Sequence, residues 1–173
     1  MELIKVHDKY FTPYLTEENI AEKIKEIASQ INADYASRKP LFIAILNGSF
    51  MFAADLFKEL TVEAEICFIK LVSYKGSRST GHVITSIGLD AEVKGRDVII
   101  VEDILDTGKT LNEFLPQLFN QQPLSIKIAV LLHKKEATVF DIKPDYCGFI
   151  IPDKFVVSNC NAEGIPNSPE TPL

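Results

Sequence analysis

This chain is organised around residues 98–110, which read Val98-Ile99-Ile100-Val101-Glu102-Asp103-Ile104-Leu105-Asp106-Thr107-Gly108-Lys109-Thr110. The four consecutive β-branched residues at its start predict a strand buried on both faces, as in the middle of a parallel sheet. Two carboxylates come directly after that strand, at the end where open α/β sheets bind their ligands. A polar loop and the pattern of a helix follow. The order strand, acids, loop, helix predicts a ligand site at one edge of the sheet.

The loop after the acids has the chemistry of a phosphate-binding turn. Gly108 lets the backbone approach a phosphate closely, and the free N–H groups at a helix start attract an anion. The hydroxyls of Thr107 and Thr110 can donate hydrogen bonds, and Lys109 adds positive charge. Asp106 is placed to act as a base or to accept a hydrogen bond from a ring N–H. The loop therefore predicts a phosphate site beside an acidic group.

Glu102 and Asp103 would repel a phosphate, so we expect them to accept hydrogen bonds from sugar hydroxyls or to hold a divalent cation through its waters. A nucleotide P-loop is excluded, because that motif requires glycine five positions before Gly108, where Asp103 stands. A structural alternative is that Asp106 or Thr107 only caps the next helix. A cap does not explain three acids within residues 102–106, so the functional interpretation is favoured.

Composition limits the classes of function. A chain of 173 residues has room for one domain with a sizeable core. The net charge of −6 and a pI near 5.1 argue against general binding to nucleic acid or to anionic membranes. No signal peptide or membrane span is visible. The three cysteines lack CxxC spacing, which predicts reduced thiols in a cytoplasm, and the three histidines show no zinc-ligand pattern.

Further apolar runs predict the neighbours of the central strand. Residues 41–46 and 125–132 have the composition of buried strands, and another strand is predicted within residues 62–73. Helical spacing predicts helices between the strands, the first of them with Thr16 as its N-cap. This alternation predicts an α/β fold in which a mainly parallel twisted sheet is flanked by helices. The chain ends would add a small hood.

Residues 98–110 resemble the phosphoribosyl pyrophosphate-binding signature of the type I phosphoribosyltransferases, whose fold agrees with the one predicted here. Residues 46–55 are similar to that family's pyrophosphate-binding loop, in which an unusual cis peptide turns backbone N–H groups inward. The resemblance therefore implies that Asn47 and Gly48 bind substrate, although many members have lysine at the position of Asn47. Without the resemblance the signal is weak, because ordinary strand-to-helix turns also contain glycine and serine.

Two other segments carry the resemblance. Ser73 and Tyr74 begin a polar loop similar to the family's flexible cover over pyrophosphate, for which an ordinary hairpin loop is the alternative. Lys134 matches the lysine that donates to the purine 6-oxo group, an interaction that would favour hypoxanthine or guanine over adenine. Phe155 would stack on the base, and the Val156 backbone would meet its ring edge. The alternatives are a solvated surface lysine and a core aromatic.

The resemblance implies a purine salvage enzyme that transfers the 5-phosphoribosyl group of phosphoribosyl pyrophosphate to N9 of hypoxanthine or guanine, giving IMP or GMP and pyrophosphate. Asp106 would take the proton from the purine, and loop 106–110 would hold the 5-phosphate. Glu102 and Asp103 would hold the ribose hydroxyls, directly or through Mg²⁺. A homodimer or homotetramer is implied as well, with a cytoplasmic location and no nucleic-acid or membrane partner.

The resemblance stops after Val157. The family continues with a glycine-rich segment whose aspartate contacts the magnesium shell, whereas here that position falls to Ala162 or Asn159. Residues 158–173 contain three prolines and no strand pattern, so we expect an irregular tail on a single domain of residues 1–173.

Two rival functions stay open at this point. One is a non-catalytic relative of the family that binds a nucleotide or phosphoribosyl pyrophosphate as a regulatory signal. The neutral residues in the tail favour it slightly, while Asp106 and the polar loop after Ser73 oppose it. The other is a flavodoxin- or receiver-like signalling domain, in which Glu102, Asp103 and Asp106 would form a Mg²⁺ pocket.

Overall fold

The computed structural model describes residues 4–6, 9–12, 14–73, 83–87, 89 and 91–156. Within these ranges the chain forms three helices and eight strands. They follow one another as β1 (Ile4–Val6), β2 (Lys9–Phe11), α1 (Glu17–Asp34), β3 (Leu41–Leu46), α2 (Phe50–Glu59), β4 (Glu65–Ser73), β5 (Val83–Ile87), β6 (Asp97–Leu105), α3 (Lys109–Phe119), β7 (Ser125–His133) and β8 (Tyr146–Ile150). None of the described helices is long and apolar enough to cross a membrane.

Six of the described strands form one sheet in the order β5-β4-β3-β6-β7-β8. β6 lies between β3 and β7 and is parallel to both, and β4 and β8 continue the parallel arrangement on either side. β5 pairs with β4 in the antiparallel direction at one edge. The predicted mainly parallel sheet is therefore confirmed. β1 and β2 form a separate antiparallel pair, and the C-terminal part of the predicted hood lies outside the described residues.

The central strand is buried on both faces because its apolar residues alternate between two cores. Ile99 and Val101 pack on the side of α1 and α2, whereas Val98 and Ile100 pack on the side of α3. Burying each such side chain contributes roughly 1.5–3 kcal/mol, so this run belongs in the middle of the sheet. The helices supply matching apolar faces, among them Ile24, Ile27 and Ile31 on α1 and Leu111, Phe114 and Leu118 on α3.

The central strand is longer than predicted. The sequence prediction ended it at Val101, with Glu102 and Asp103 after it, whereas β6 continues to Leu105. The reason is pairing with β7, because Glu102 lies opposite Val130 and Leu105 lies opposite His133. The two acids thus belong to the last part of the strand. The predicted loop from Tyr74 and the predicted tail 158–173 lie outside the described residues.

Candidate active site

Three loops meet at the carboxyl edge of the sheet. The neighbouring parallel strands β3, β6 and β7 all end there, and the loops after them begin with Asn47, Asp106 and Lys134. The register places Leu105 opposite His133, so the second and third loops start side by side. The edge of the sheet therefore collects side chains that are far apart in the sequence, as expected for an open α/β sheet.

The loop between β6 and α3 forms the wall of a small open pocket, which Glu102 also lines. Gly108 has a φ of 81° and is the N-cap of α3, so neither Asp106 nor Thr107 is the helix cap. The Thr107 hydroxyl accepts a hydrogen bond from the Lys109 N–H at 3.3 Å. In the described part of the chain, the N–H groups of Gly108 and Thr110 donate to no protein group. These two donors remain available to an anion at the helix N-terminus.

Glu102 and Asp103 occupy different surroundings. Glu102 Oε2 is buried and has no hydrogen-bond partner among the described residues. Burial raises the pKa of the Glu102 carboxyl well above its ordinary value, and the neighbouring Asp103 carboxylate raises it further. Asp103 is only 8% exposed, and its Oδ1 accepts the N–H of Ile104 at 2.9 Å. Glu102 thus presents a buried oxygen that still needs a hydrogen-bond donor or a cation.

The loop after β3 approaches Asp103 very closely. A Cβ atom on Gly48 would lie 2.4 Å from Asp103 Oδ2, so only glycine fits at this position. The peptide bond between Leu46 and Asn47 is cis, which is the geometry that the family resemblance implied for this loop. Asn47 itself is exposed. The structure therefore brings the predicted pyrophosphate loop into close approach with Asp103, one of the two predicted ribose-binding acids.

The pair Glu102 and Asp103 fits a magnesium ion only together with oxygens of a substrate. Among the described residues there is no cluster of three or more histidine, cysteine or acidic side chains that could hold a metal. Mg²⁺ is, however, commonly bound through one or two carboxylates plus substrate phosphates and water. The unpartnered Glu102 Oε2 beside a second carboxylate matches that kind of incomplete site.

Lys134 follows the end of β7, and its side chain forms ion pairs with carboxylates of two other segments. Its Nζ lies 3.3 Å from Asp106 Oδ2 and 3.5 Å from Asp153 Oδ1. The whole residue is only 8% exposed, so the alternative of a solvated surface lysine is wrong. Asp153 was not among the predicted site residues, although it stands two positions before Phe155. An ammonium group has three donors, and two carboxylates leave one of them for a ligand.

The segment after Lys134 also supports the phosphate loop. The Thr138 hydroxyl lies 2.7 Å from the backbone oxygen of Asp106, and His133 Nε2 lies 3.2 Å from the same hydroxyl. The N–H of Val139 donates to the backbone oxygen of Thr107 at 3.1 Å. Burial lowers the pKa of His133, and the nearby Lys135 lowers it further. No sequence motif predicted these contacts.

The remaining predicted site residues differ in their exposure, and one of them lies outside the described residues. Phe155 is 53% exposed, so the alternative of a core aromatic is wrong, and Val156 beside it is partly buried. Lys109 lines the pocket, its side chain is 67% exposed, and its Nζ lies 3.9 Å from the carboxylate of Glu113 one helical turn further along. Ser73 ends β4, and Tyr74 lies outside the described residues.

Comparison with known proteins agrees with this geometry. The model of the phosphoribosyl transferase domain family matches residues 12–162. A hypoxanthine-guanine phosphoribosyltransferase of Lactococcus lactis is 43% identical over 144 residues, which are 83% of this chain and 78% of that protein. The protein of the same name from Bacillus subtilis is 41% identical over 145 residues, which are 83% of this chain and 80% of the relative.

Solved structures give the same result. A hypoxanthine phosphoribosyltransferase of Trypanosoma cruzi, solved as a ternary substrates complex, has a TM-score of 0.79 at 37% identity over 85% of this chain and 84% of that one. A hypoxanthine-guanine phosphoribosyltransferase of Bacillus anthracis has a TM-score of 0.77 at 37% identity over 84% of each chain. Because the family model and these relatives cover most of the sequence, this chain belongs to the phosphoribosyl transferase domain family.

Proposed function

We propose that this phosphoribosyltransferase moves the 5-phosphoribosyl group of phosphoribosyl pyrophosphate to N9 of hypoxanthine or guanine and releases pyrophosphate with IMP or GMP. The observation that carries the proposal is the contact of 3.3 Å between Asp106 and Lys134 at the edge of the Gly108 loop. A carboxylate that can accept a ring proton thus stands beside a cation that can donate to an exocyclic oxygen. The curated relatives, named for hypoxanthine and guanine, support the same substrates.

The base would be recognised by its pattern of donors and acceptors. Lys134 would donate to the 6-oxo group, and Asp106 would accept the purine N–H and take that proton as N9 attacks the ribosyl carbon. Adenine carries a 6-amino group, which is a hydrogen-bond donor, in place of the 6-oxo acceptor. The buried ammonium group of Lys134 would then face another donor and would lose its hydrogen bond to the base. The exposed ring of Phe155 would stack on the base, and the backbone of Val156 would meet the ring edge.

The phosphoribosyl donor would be held at both ends. The free N–H groups of Gly108 and Thr110, with the hydroxyls of Thr107 and Thr110, would bind the 5-phosphate at the start of α3. The loop of Asn47 and Gly48 would bind pyrophosphate through its backbone. Held in this way, the ribosyl carbon would lie between the leaving group and the incoming base, which lowers the entropic part of the barrier.

Glu102 and Asp103 would hold the ribose hydroxyls, directly or through Mg²⁺. When bound there, Mg²⁺ would neutralise charge on the diphosphate and help it to leave. The carboxylates themselves would favour a ribosyl centre that develops positive charge. The buried Glu102 Oε2, which has no partner among the described residues, is the atom that supports this assignment.

Several further features belong to the same proposal. The polar loop from Ser73 and Tyr74 would close over pyrophosphate and exclude water from the reacting centre. Residues 1–173 would form one domain, with 158–173 as an irregular tail. The protein would act in the cytoplasm as a homodimer or homotetramer, with no nucleic-acid or membrane partner.

The test is a purine panel. Purified protein is mixed with phosphoribosyl pyrophosphate and hypoxanthine, guanine, xanthine or adenine, with and without Mg²⁺, and product is followed by ultraviolet absorbance. We expect turnover of hypoxanthine or guanine with Mg²⁺ and little turnover of adenine. Asp106→Asn should lower kcat about a hundredfold, whereas Asp141→Asn, at an exposed carboxylate in the connection between β7 and β8, should not. Equal use of adenine, or an unimpaired Asp106→Asn enzyme, would contradict the proposal.

A further inference from the structure

Thr138 lies at the junction of the two loops that hold Asp106 and Lys134. Its hydroxyl Oγ1 is 2.7 Å from the backbone oxygen of Asp106 and 3.0 Å from the backbone oxygen of Lys134. Its methyl group packs beside Gly108, since a Cβ built on that glycine would lie 3.5 Å from Thr138 Cγ2. The next N–H, of Val139, donates to the backbone oxygen of Thr107. One threonine thus contacts both the base side and the phosphate side of the pocket.

The direction of these hydrogen bonds can be assigned because a hydroxyl has a single proton. Both backbone oxygens are acceptors, so Thr138 must donate towards them, most directly to Asp106 at the shorter distance. Its contact of 3.2 Å with His133 Nε2 must then be one in which the threonine oxygen accepts and the histidine donates. His133 therefore carries a proton on Nε2. It directs the threonine proton towards the backbone oxygen of Asp106.

We propose that Thr138, oriented by His133, is a positioning residue for the transfer reaction. It fixes the backbone of Asp106 and Thr107 against the segment that begins at Lys134. The spacing between the purine subsite and the 5-phosphate subsite is then set by a hydrogen-bonded chain from His133 through Thr138 to Asp106. The proposal rests on the function proposed above for Asp106 and Lys134, and it adds two residues that touch neither substrate.

The test compares two substitutions at the same site. Thr138→Val keeps the shape and removes the donor, whereas Thr138→Ser keeps the hydroxyl. Thr61→Val, at an exposed threonine before β4, is the matched control. Urea unfolding first identifies a temperature at which every variant is fully folded in the absence of urea. The kcat and KM for phosphoribosyl pyrophosphate and for hypoxanthine are then measured at that temperature. We expect kcat/KM for phosphoribosyl pyrophosphate to fall about tenfold in Thr138→Val and to recover in Thr138→Ser.

A double-mutant cycle with His133→Leu tests the proposed chain. If His133 acts through Thr138, the double variant should be little worse than Thr138→Val alone, because the two effects are not additive. Wild-type constants in folded Thr138→Val, failure of Thr138→Ser to recover activity, or additive effects would overturn the proposal. Absence of turnover in the wild type, or wild-type turnover in Asp106→Asn, would instead overturn the proposed function. The two failures are therefore distinguishable.

Discussion

Gly48→Ala should impair the site far more than it impairs the fold. The new Cβ atom would lie 2.4 and 2.5 Å from the two carboxylate oxygens of Asp103 and 2.6 Å from its Cγ. Non-bonded heavy atoms prefer roughly 3.5 Å or more, so the two groups must separate by about 1 Å. Asp103 is buried and hydrogen-bonded to the N–H of Ile104, so the displacement must be shared with the loop of Asn47.

The expected magnitude follows from that displacement. Overpacking of this kind costs about 1–3 kcal/mol of stability. A misplacement of about 1 Å in a substrate-holding loop can cost about a hundredfold in rate. We therefore expect kcat/KM for phosphoribosyl pyrophosphate to fall about a hundredfold in Gly48→Ala, measured by initial rates with hypoxanthine in excess. Urea unfolding of the same protein should show a single cooperative transition at a lower midpoint.

Gly95→Ala is the matched control. Gly95 has a φ of 70°, but no heavy atom lies within 4 Å of its added Cβ. It stands in the turn before β6, at the end of that strand opposite to the candidate site. Alanine there should cost about 1–2 kcal/mol through backbone strain and leave the kinetic constants unchanged. If Gly48→Ala keeps wild-type kcat/KM, or if Gly95→Ala impairs turnover as strongly, the close approach of the two loops is not what makes the site active.

Three other substitutions test separate parts of the structure. Lys134→Met should lower kcat/KM for oxopurines by about 10- to 100-fold through loss of a charged hydrogen bond, and an equal loss with every purine in the panel would indicate a structural role. Tyr146→Phe removes a hydroxyl that donates to Asp34 at 2.6 Å, remote from the site, so it should lower the free energy of unfolding by about 1 kcal/mol without changing kcat. Because burial depresses the pKa of His133, the unfolded chain takes up a proton below pH 6.5 that the folded chain resists. Stability should therefore fall as pH drops below 6.5, by at most about 1.4 kcal/mol per pH unit, and His133→Gln should lack this component in urea unfolding at pH 7.5 and 5.5.

The parts of the fold that were predictable are those governed by local chemistry. The run of β-branched residues from Val98 needs burial on both faces, and a parallel sheet with helices on each side provides it. The first helix begins where Thr16 can cap it, and the Thr16 hydroxyl does accept the N–H of Asn19, at 3.2 Å. The end of β6 was not predictable in this way, because pairing with β7 extends the strand through Glu102 to Leu105 despite the charges.

The residue types of the candidate site could be predicted from the sequence, whereas the contacts between them could not. The acids, the glycine loop and Lys134 are all recognisable along the chain, but nothing local indicates that Asp153 approaches Lys134 or that Thr138 reaches the backbone of Asp106. Such contacts depend on how the connection between β7 and β8 folds back. For Phe155 the apolar neighbours in the sequence favoured the alternative of a core aromatic, whereas the side chain is half exposed.

The geometry of this site depends chiefly on strand register. The N–H of Lys134 donates to the backbone oxygen of Leu105 at 2.9 Å, so the hydrogen bonding between β6 and β7 continues to the edge of the pocket. This pairing fixes the positions of Asp106 and Lys134 relative to each other. A slip of one residue would turn alternate side chains to the other face and separate the carboxylate from the ammonium group. The apolar run at the start of β6 prevents that slip, because Val98 and Ile100 would exchange cores with Ile99 and Val101. The residues that stabilise the sheet therefore also determine the distance between Asp106, the proposed base, and Lys134, the proposed donor to the purine 6-oxo group.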